Sequence, residues 1–185
     1  MTDDRLTSRD WVNAGLKALA KTGFTALKAD TLSKALGVSR GSFYWHFADV
    51  GAFHAAVLHR WREIAYENVV REVDGTAENR LESLLDRAFR ADTRLERAVR
   101  SWATADPRAR TMVEAVDLRR LVYIEKLLGE AGVAPDVAPT RVRLLYWAYL
   151  GFILSSARLD QADRRRLLDE LARAAMSKDK RRTPA

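Results

Sequence analysis

Apolar residues recur at helical spacing along nearly the whole chain, and no stretch shows the period of two that marks a strand. Thr7 and Asp10 have the spacing of a capping box, and Trp11, Ala14, Leu16, Ala18 and Leu19 supply the apolar positions of a first helix ending near Gly23. Gly15 costs helix propensity inside it, a cost that close packing would explain. Asp30 or Thr31 can cap a short second segment carrying Leu32, Ala35 and Leu36. Gly37 stops that segment in a left-handed conformation, and Ser39 caps the third. In the third, Phe43 and Phe47 stand at i,i+4 toward a core, leaving Arg40, Ser42, Tyr44, Trp45 and His46 for outward and flanking positions. Asp49 caps a long fourth helix to about residue 70, with Phe53, Val57, Trp61 and Ile64 or Ala65 on its stripe.

Beyond Asp74-Gly75 the pattern is again helical. Leu81, Leu84, Leu85, Ala88 and Phe89 mark one helix, and Leu95, Val99, Trp102 and Ala103 another. Asp106 then caps a helix with Pro107 at its first position, running through Met112, Val116, Leu121, Ile124 and Leu128 to Gly129 or Gly132. Residues 135–139 form a loop, 140–157 a strongly apolar helix and 160–176 an amphipathic one. The fold expected is all-α, with about nine helices. An N-terminal three-helix domain with a helix-turn-helix, residues 1–58, joins a helical domain, residues 59–176, through a rigid connection, and a basic tail, 177–185, is expected to be disordered.

Net charge is +7 and the sequence pI about 10.0, compatible with a polyanionic partner. Yet residues 1–59 carry seven Lys and Arg against five acids, so charge alone does not locate a nucleic-acid site. There is no cysteine, and His46, His54 and His59 lack the spacing of a zinc cluster. The longest apolar run, residues 144–154, is too short for a membrane span, and the first residues lack the basic flank and apolar core of a secretion signal. A soluble cytoplasmic protein without cofactor or membrane partner follows as the expectation. No nucleophile, base and orienting group stand at a recognisable spacing, and no glycine-rich loop follows a strand, which argues against an enzyme.

The chemistry concentrates in Leu32-Ser33-Lys34-Ala35-Leu36-Gly37-Val38-Ser39-Arg40-Gly41-Ser42-Phe43. Two short helices meet at a tight glycine turn, Ala35 is small enough for close crossing, and Leu32, Leu36, Val38 and Phe43 hold the pair together. The second helix is rich in groups able to bond phosphates and base edges, and its outward N–H groups suit phosphate contact without a dense basic patch. With Gly23-Phe24 before it and Tyr44-Trp45-His46-Phe47 after it, this stretch closely resembles the TetR family of bacterial repressors over residues 9 to about 58.

That resemblance implies a homodimer whose third helix reads double-stranded operator DNA. Arg40 matches a position used for base or phosphate contact, Ser39 and Ser42 lie near backbone phosphates, and Tyr44 and His46 resemble phosphate-contacting residues. Trp45 matches a packing or groove-edge position, and Gly41 allows close approach. Two positions depart from the family: Val50 stands where a phosphate-directed lysine is frequent, and Ala29 where a hydroxyl residue is common, with Lys28 and Thr31 able to compensate. The family scheme also implies a small-molecule effector in the C-terminal domain that shifts the fourth helix. Facing aromatic and adaptable side chains, Trp61, Phe89, Trp102, Met112, Val116, Tyr123, Trp147 and Phe152, are the candidates for an apolar or aromatic ligand, each with a core role as its alternative. Residues 144–154 are apolar on nearly all sides and need a second apolar surface. A two-fold four-helix interface formed by Tyr146, Tyr149, Leu150, Ile153, Leu167, Leu168, Leu171 and Ala175 would supply it. A regulator or activator without inducer, and a helical interaction protein that does not bind DNA, are the alternatives.

Overall fold

The computed structural model describes residues 6–76, 79–155 and 159–177, and those residues form helices with no strand. Beyond Ser177 the basic tail lies outside the described residues. The described chain runs α1 (Ser8–Thr22), a 3-10 turn (Phe24–Ala26), α2 (Ala29–Leu36), α3 (Arg40–His46), α4 (Val50–Arg62), a π-helical turn (Glu63–Glu67), α5 (Asn68–Asp74), α6 (Arg80–Arg90), α7 (Arg94–Ala105), α8 (Pro107–Glu130), α9 (Ala138–Leu154) and α10 (Gln161–Met176).

Several boundaries follow from side chains visible in the sequence. The Thr7–Asp10 capping box closes the start of α1, the Asp49 carboxylate accepts the Ala52 N–H at 2.7 Å, and Asp106 accepts the Arg108 N–H at 2.8 Å. Others differ. Neither Asp30 nor Thr31 caps α2: the helix starts earlier, at Ala29, after Lys28 in extended backbone with no side-chain cap. Ser39 is the N-cap residue of α3, but its hydroxyl makes no capping bond. Pro139 lies in the first turn of α9 rather than in a loop, where its missing N–H costs nothing. The long fourth helix opens into a π turn at Glu63–Glu67, and Arg62 lies within 3.0 Å of Glu67, five residues on, as the i→i+5 spacing of such a turn allows.

Two compact units result, and they are not consecutive stretches of chain. The first takes Met1–Asn68 and Asp92–Val116. Its core is aromatic: Trp11, Phe43, Phe53, Trp61 and Trp102 are essentially fully buried among Leu19, Leu27, Leu32, Val57 and Val99. Here α7 lies along α1, and Trp102 stacks on Phe24 with ring centroids 4.7 Å apart. The second unit takes Val69–Ala91 and Asp117–Ala185. Phe89, Leu85, Leu127, Leu128, Leu145 and Ile153 fill its core, and polar tips of buried rings find carboxylates: Tyr123 donates to Asp74 at 2.9 Å and Tyr146 to Asp117 at 2.6 Å. Arg141 closes the end of α10 by donating to the Ala175 and Ser177 carbonyls.

Candidate nucleic-acid interface

The turn between α2 and α3 is the starting point. Gly37 sits at φ +70°, where a Cβ is sterically costly. Its N–H reaches the Lys34 carbonyl, and the Val38 N–H reaches that of Ser33 at 3.0 Å. This Schellman pairing ends α2 and redirects the chain into α3. Leu32 is buried, with Leu36 and Val38 packed on the same core. Phe43 meets Trp11 and Phe53 edge-on at 5.3 Å each. The small residue turned inward is Ser33 rather than Ala35, which is exposed.

Because Phe43 and Phe47 occupy the inside, the rest of α3 faces solvent. Ser39, Arg40, Gly41, Tyr44, Trp45 and His46 are exposed, Ser42 is half-buried, and Lys28 and Thr31 are exposed at the start of α2. All nine DNA-contact candidates therefore reach the surface on one short segment. Trp45 is 86% exposed, forgoing burial worth roughly 2 kcal/mol. A Cβ on Gly41 would meet only the Ser39 Oγ, at 3.6 Å, so nothing among the described residues requires glycine there. Arg40 Nη2 donates to the Tyr44 hydroxyl at 3.2 Å, and Arg40 Nε lies 3.3 Å from Oδ1 of Asp30 on α2.

Val50 packs against the core of the first unit. Beside it, Arg108 from the first turn of α8 brings Nη1 to 3.0 Å from where a Cβ on Gly51 would stand. Neither Asp30 nor Arg108 is singled out as a surface group by the sequence. Asp30 lies across from Arg40 on the neighbouring helix, a relation that helix spacing can show, whereas nothing local links Arg108 to Gly51.

The ligand candidates do not form one cluster. Trp61, Trp102 and Val116 are buried and Met112 half-buried in the first unit, where Trp61 Nε1 donates to Glu96 at 3.3 Å. In the second unit, Phe89 and Phe152 come together with centroids 4.9 Å apart, next to Tyr149. Burial first, then the bond to Asp74, pushes the Tyr123 hydroxyl above its ordinary pKa, and Trp147 is 62% exposed. A cleft of about 600 Å³ in the second unit has none of the eight on its walls; α6 and α10 line it with Leu85, Leu168, Arg90, Arg164 and neighbouring residues.

Of the dimer candidates, Tyr146, Ile153 and Ala175 are buried within the protomer, so no second copy can reach them as the chain stands. Tyr149, Leu150, Leu167, Leu168 and Leu171 are half-buried. The outer face of α9 is instead Leu144, Trp147, Gly151 and Leu154, and Leu118 and Val122 are exposed on α8. Among the described residues no helix is long and apolar enough to cross a membrane, and no group of acids or histidines is placed to hold a metal.

The profile of the family described as bacterial regulatory proteins, tetR family, matches residues 12–49, which span α1 to the cap of α4. No curated protein matches the sequence. Solved structures do match in fold. Salmonella enterica GusR superposes with a TM-score of 0.72 at 17% identity, over 96% of this chain and 99% of that one. The fatty acid degradation regulator FadR of Bacillus halodurans gives 0.67 at 14% identity, over 94% and 96%. The ketosteroid transcriptional regulator KstR2 of Mycobacterium tuberculosis gives 0.58 at 16%, over 95% of each chain. At such identities the likeness is one of fold, and it extends over the helices that the family profile does not reach. The helix-turn-helix segment, residues 12–49, thus matches the profile of the tetR family of bacterial regulatory proteins, and the chain as a whole shares the fold of the solved regulators.

Proposed function

We propose that the chain is a homodimeric repressor that binds a palindromic operator through α3 and leaves it when a small apolar or aromatic molecule binds. In this reading residues 1–58 read DNA in the cytoplasm, residues 59–176 regulate and dimerise, and the tail 177–185 adds only charge. The observation that carries it is the face of α3: Phe43 and Phe47 anchor it while Arg40, Tyr44, Trp45 and His46 stand outward with Gly41 left open between them. A major groove about 12 Å wide accepts such a helix. Arg40 addresses a base edge, Lys28, Thr31, Ser39, Ser42, Tyr44 and His46 meet phosphates, and Trp45 lies at the groove edge. Arg108, standing beside Gly51, supplies a cation next to the place where Val50 offers none.

The second copy covers the outer stripe of α9. Leu144, Trp147, Gly151 and Leu154 follow one helix face, and 59–66% exposure of its three large side chains is a poor arrangement for a free monomer. The half-buried Tyr149, Leu150, Leu167, Leu168 and Leu171 flank that contact, with Tyr146, Ile153 and Ala175 supporting it from inside. For the effector, the Phe89–Phe152–Tyr149 ring group offers an apolar contact surface. FadR and KstR2, regulators described by fatty acid degradation and a ketosteroid, support looking among apolar molecules.

The test is selection of protected duplex from genomic fragments. Two symmetric half-sites, bound with an affinity that falls steeply as salt rises, are the expected result. Failure to select any sequence at low salt overturns DNA reading. Selection of a site that no apolar molecule releases leaves DNA reading standing and removes the inducer.

A further inference from the structure

We infer that Asp30 is a specificity-determining residue: it holds the Arg40 guanidinium so that one edge alone is left to read a guanine. This rests on the reading of α3 as the DNA-contacting helix. Arginine carries five N–H donors, one on Nε and two on each Nη. In this chain Asp30 Oδ1 forms an ion pair with the Nε at 3.3 Å, and one Nη2 proton goes to the Tyr44 hydroxyl at 3.2 Å. The Arg40 Cζ also lies 5.6 Å from the centre of the Tyr44 ring, within cation–π range. An ion pair, a hydrogen bond and a ring contact together bias the orientation of the group. Left over are the Nη1 protons and the second Nη2 proton, at the end of the fork. That end presents parallel N–H groups, the pattern that guanine O6 and N7 accept.

A carboxylate on this face works against general affinity. Asp30 is exposed among nine candidate DNA contacts, where its charge repels phosphates, and the surrounding residues 1–59 have little positive charge to spare. Its presence is therefore better explained by discrimination than by binding strength. An arginine without Asp30 can swing to any nearby phosphate and bind all sequences alike, whereas a held one gains its bonds only over the right base. Nor does the pair do much for the fold, since both side chains are more than 60% exposed. The bland alternative is that Asp30, in the first turn of α2, merely favours the helix dipole.

The experiment uses the full-length protein and the duplex it selects, with each base pair of one half-site replaced in turn and affinities read by fluorescence anisotropy at two salt concentrations. At one position the wild type should prefer guanine by about tenfold or more, as a bidentate arginine contact allows. Asp30→Asn should flatten the preference at that position alone, with random duplex bound equally or more tightly. Tyr44→Phe should flatten it in part, and in an Arg40→Ala background Asp30→Asn should change no base preference. If Asp30→Asn keeps the full preference while Arg40→Ala loses it, Asp30 does not position the arginine and the inference fails while DNA reading stands. A uniform loss at every position, accompanied by a lower melting temperature, assigns Asp30 to the fold of α2 and equally overturns it. If the wild type selects no duplex, the parent reading falls and takes this one with it.

Discussion

Two of the helical glycines, Gly15 and Gly41, are asked for opposite things. A Cβ on Gly15 of α1 would stand 2.7 Å from Cζ of the fully buried Phe53 and 3.2 Å from Val57, and Phe53 is itself wedged against Phe43 and Phe47. Overpacking of this kind costs about 1–3 kcal/mol, against about 1 kcal/mol gained in helix propensity. Gly15→Ala should therefore lose about 1 kcal/mol net, read as a lower urea midpoint. Gly41 has no such neighbour. Gly41→Ala should leave stability unchanged or raise it by up to about 1 kcal/mol, while affinity for the selected duplex falls about tenfold because the methyl stands between helix and groove. Full DNA affinity in that variant would remove Gly41 from the contact face. Gly15 as a packing residue was legible in the sequence as an unexplained cost. Its partner Phe53 was not, since periodicity says which side of a helix is apolar and not what lies opposite.

The start of α8 shows what an element owes to one side chain. Asp106 Oδ1 accepts from the Arg108 and Ala109 N–H groups and Oδ2 from the Trp102 indole at 3.1 Å. Burial pushes the carboxyl up, but these bonds outweigh it and hold its pKa below the ordinary value. A depressed folded pKa contributes stability that is complete above the unfolded value and is lost as the pH falls through the folded one. Thermal unfolding followed down through that acid window should show the loss, and Asp106→Asn, which can still cap, should flatten the profile there. An unchanged acid dependence in Asp106→Asn would assign the effect to other carboxylates. Asp106-Pro107 announces this start because both signals are local. The start of α2 carries no such signal, because Lys28 enters it through extended backbone alone, with no side chain for the sequence to display.

For the whole molecule, the outer face of α9 carries the prediction. Trp147→Glu puts a charge into the proposed two-fold contact and should turn a dimer into a monomer by sedimentation, with binding to the two-half-site duplex weakened far more than binding to a single half-site. Tyr146→Phe, which removes the bond to Asp117 inside the protomer, should cost about 1 kcal/mol of stability and leave the oligomeric state alone. A dimeric Trp147→Glu protein would move the interface elsewhere.

What the sequence determined by itself was local. Helical spacing, capping side chains and the Gly37 turn specify the elements, and the inward Phe43 and Phe47 already imply which side of α3 is left outside. The tertiary structure decided which faces meet. It set α7 against α1 and divided the chain into units that cross its order. It turned Tyr146 and Ile153 inward while leaving Leu144, Trp147 and Leu154 out, and it brought Asp30 to Arg40. A helix that is apolar all round has no moment to say which stripe is buried, and the burial of each stripe depends on partners distant in the chain. Periodicity is a property of neighbours in sequence, whereas contact is a property of neighbours in space.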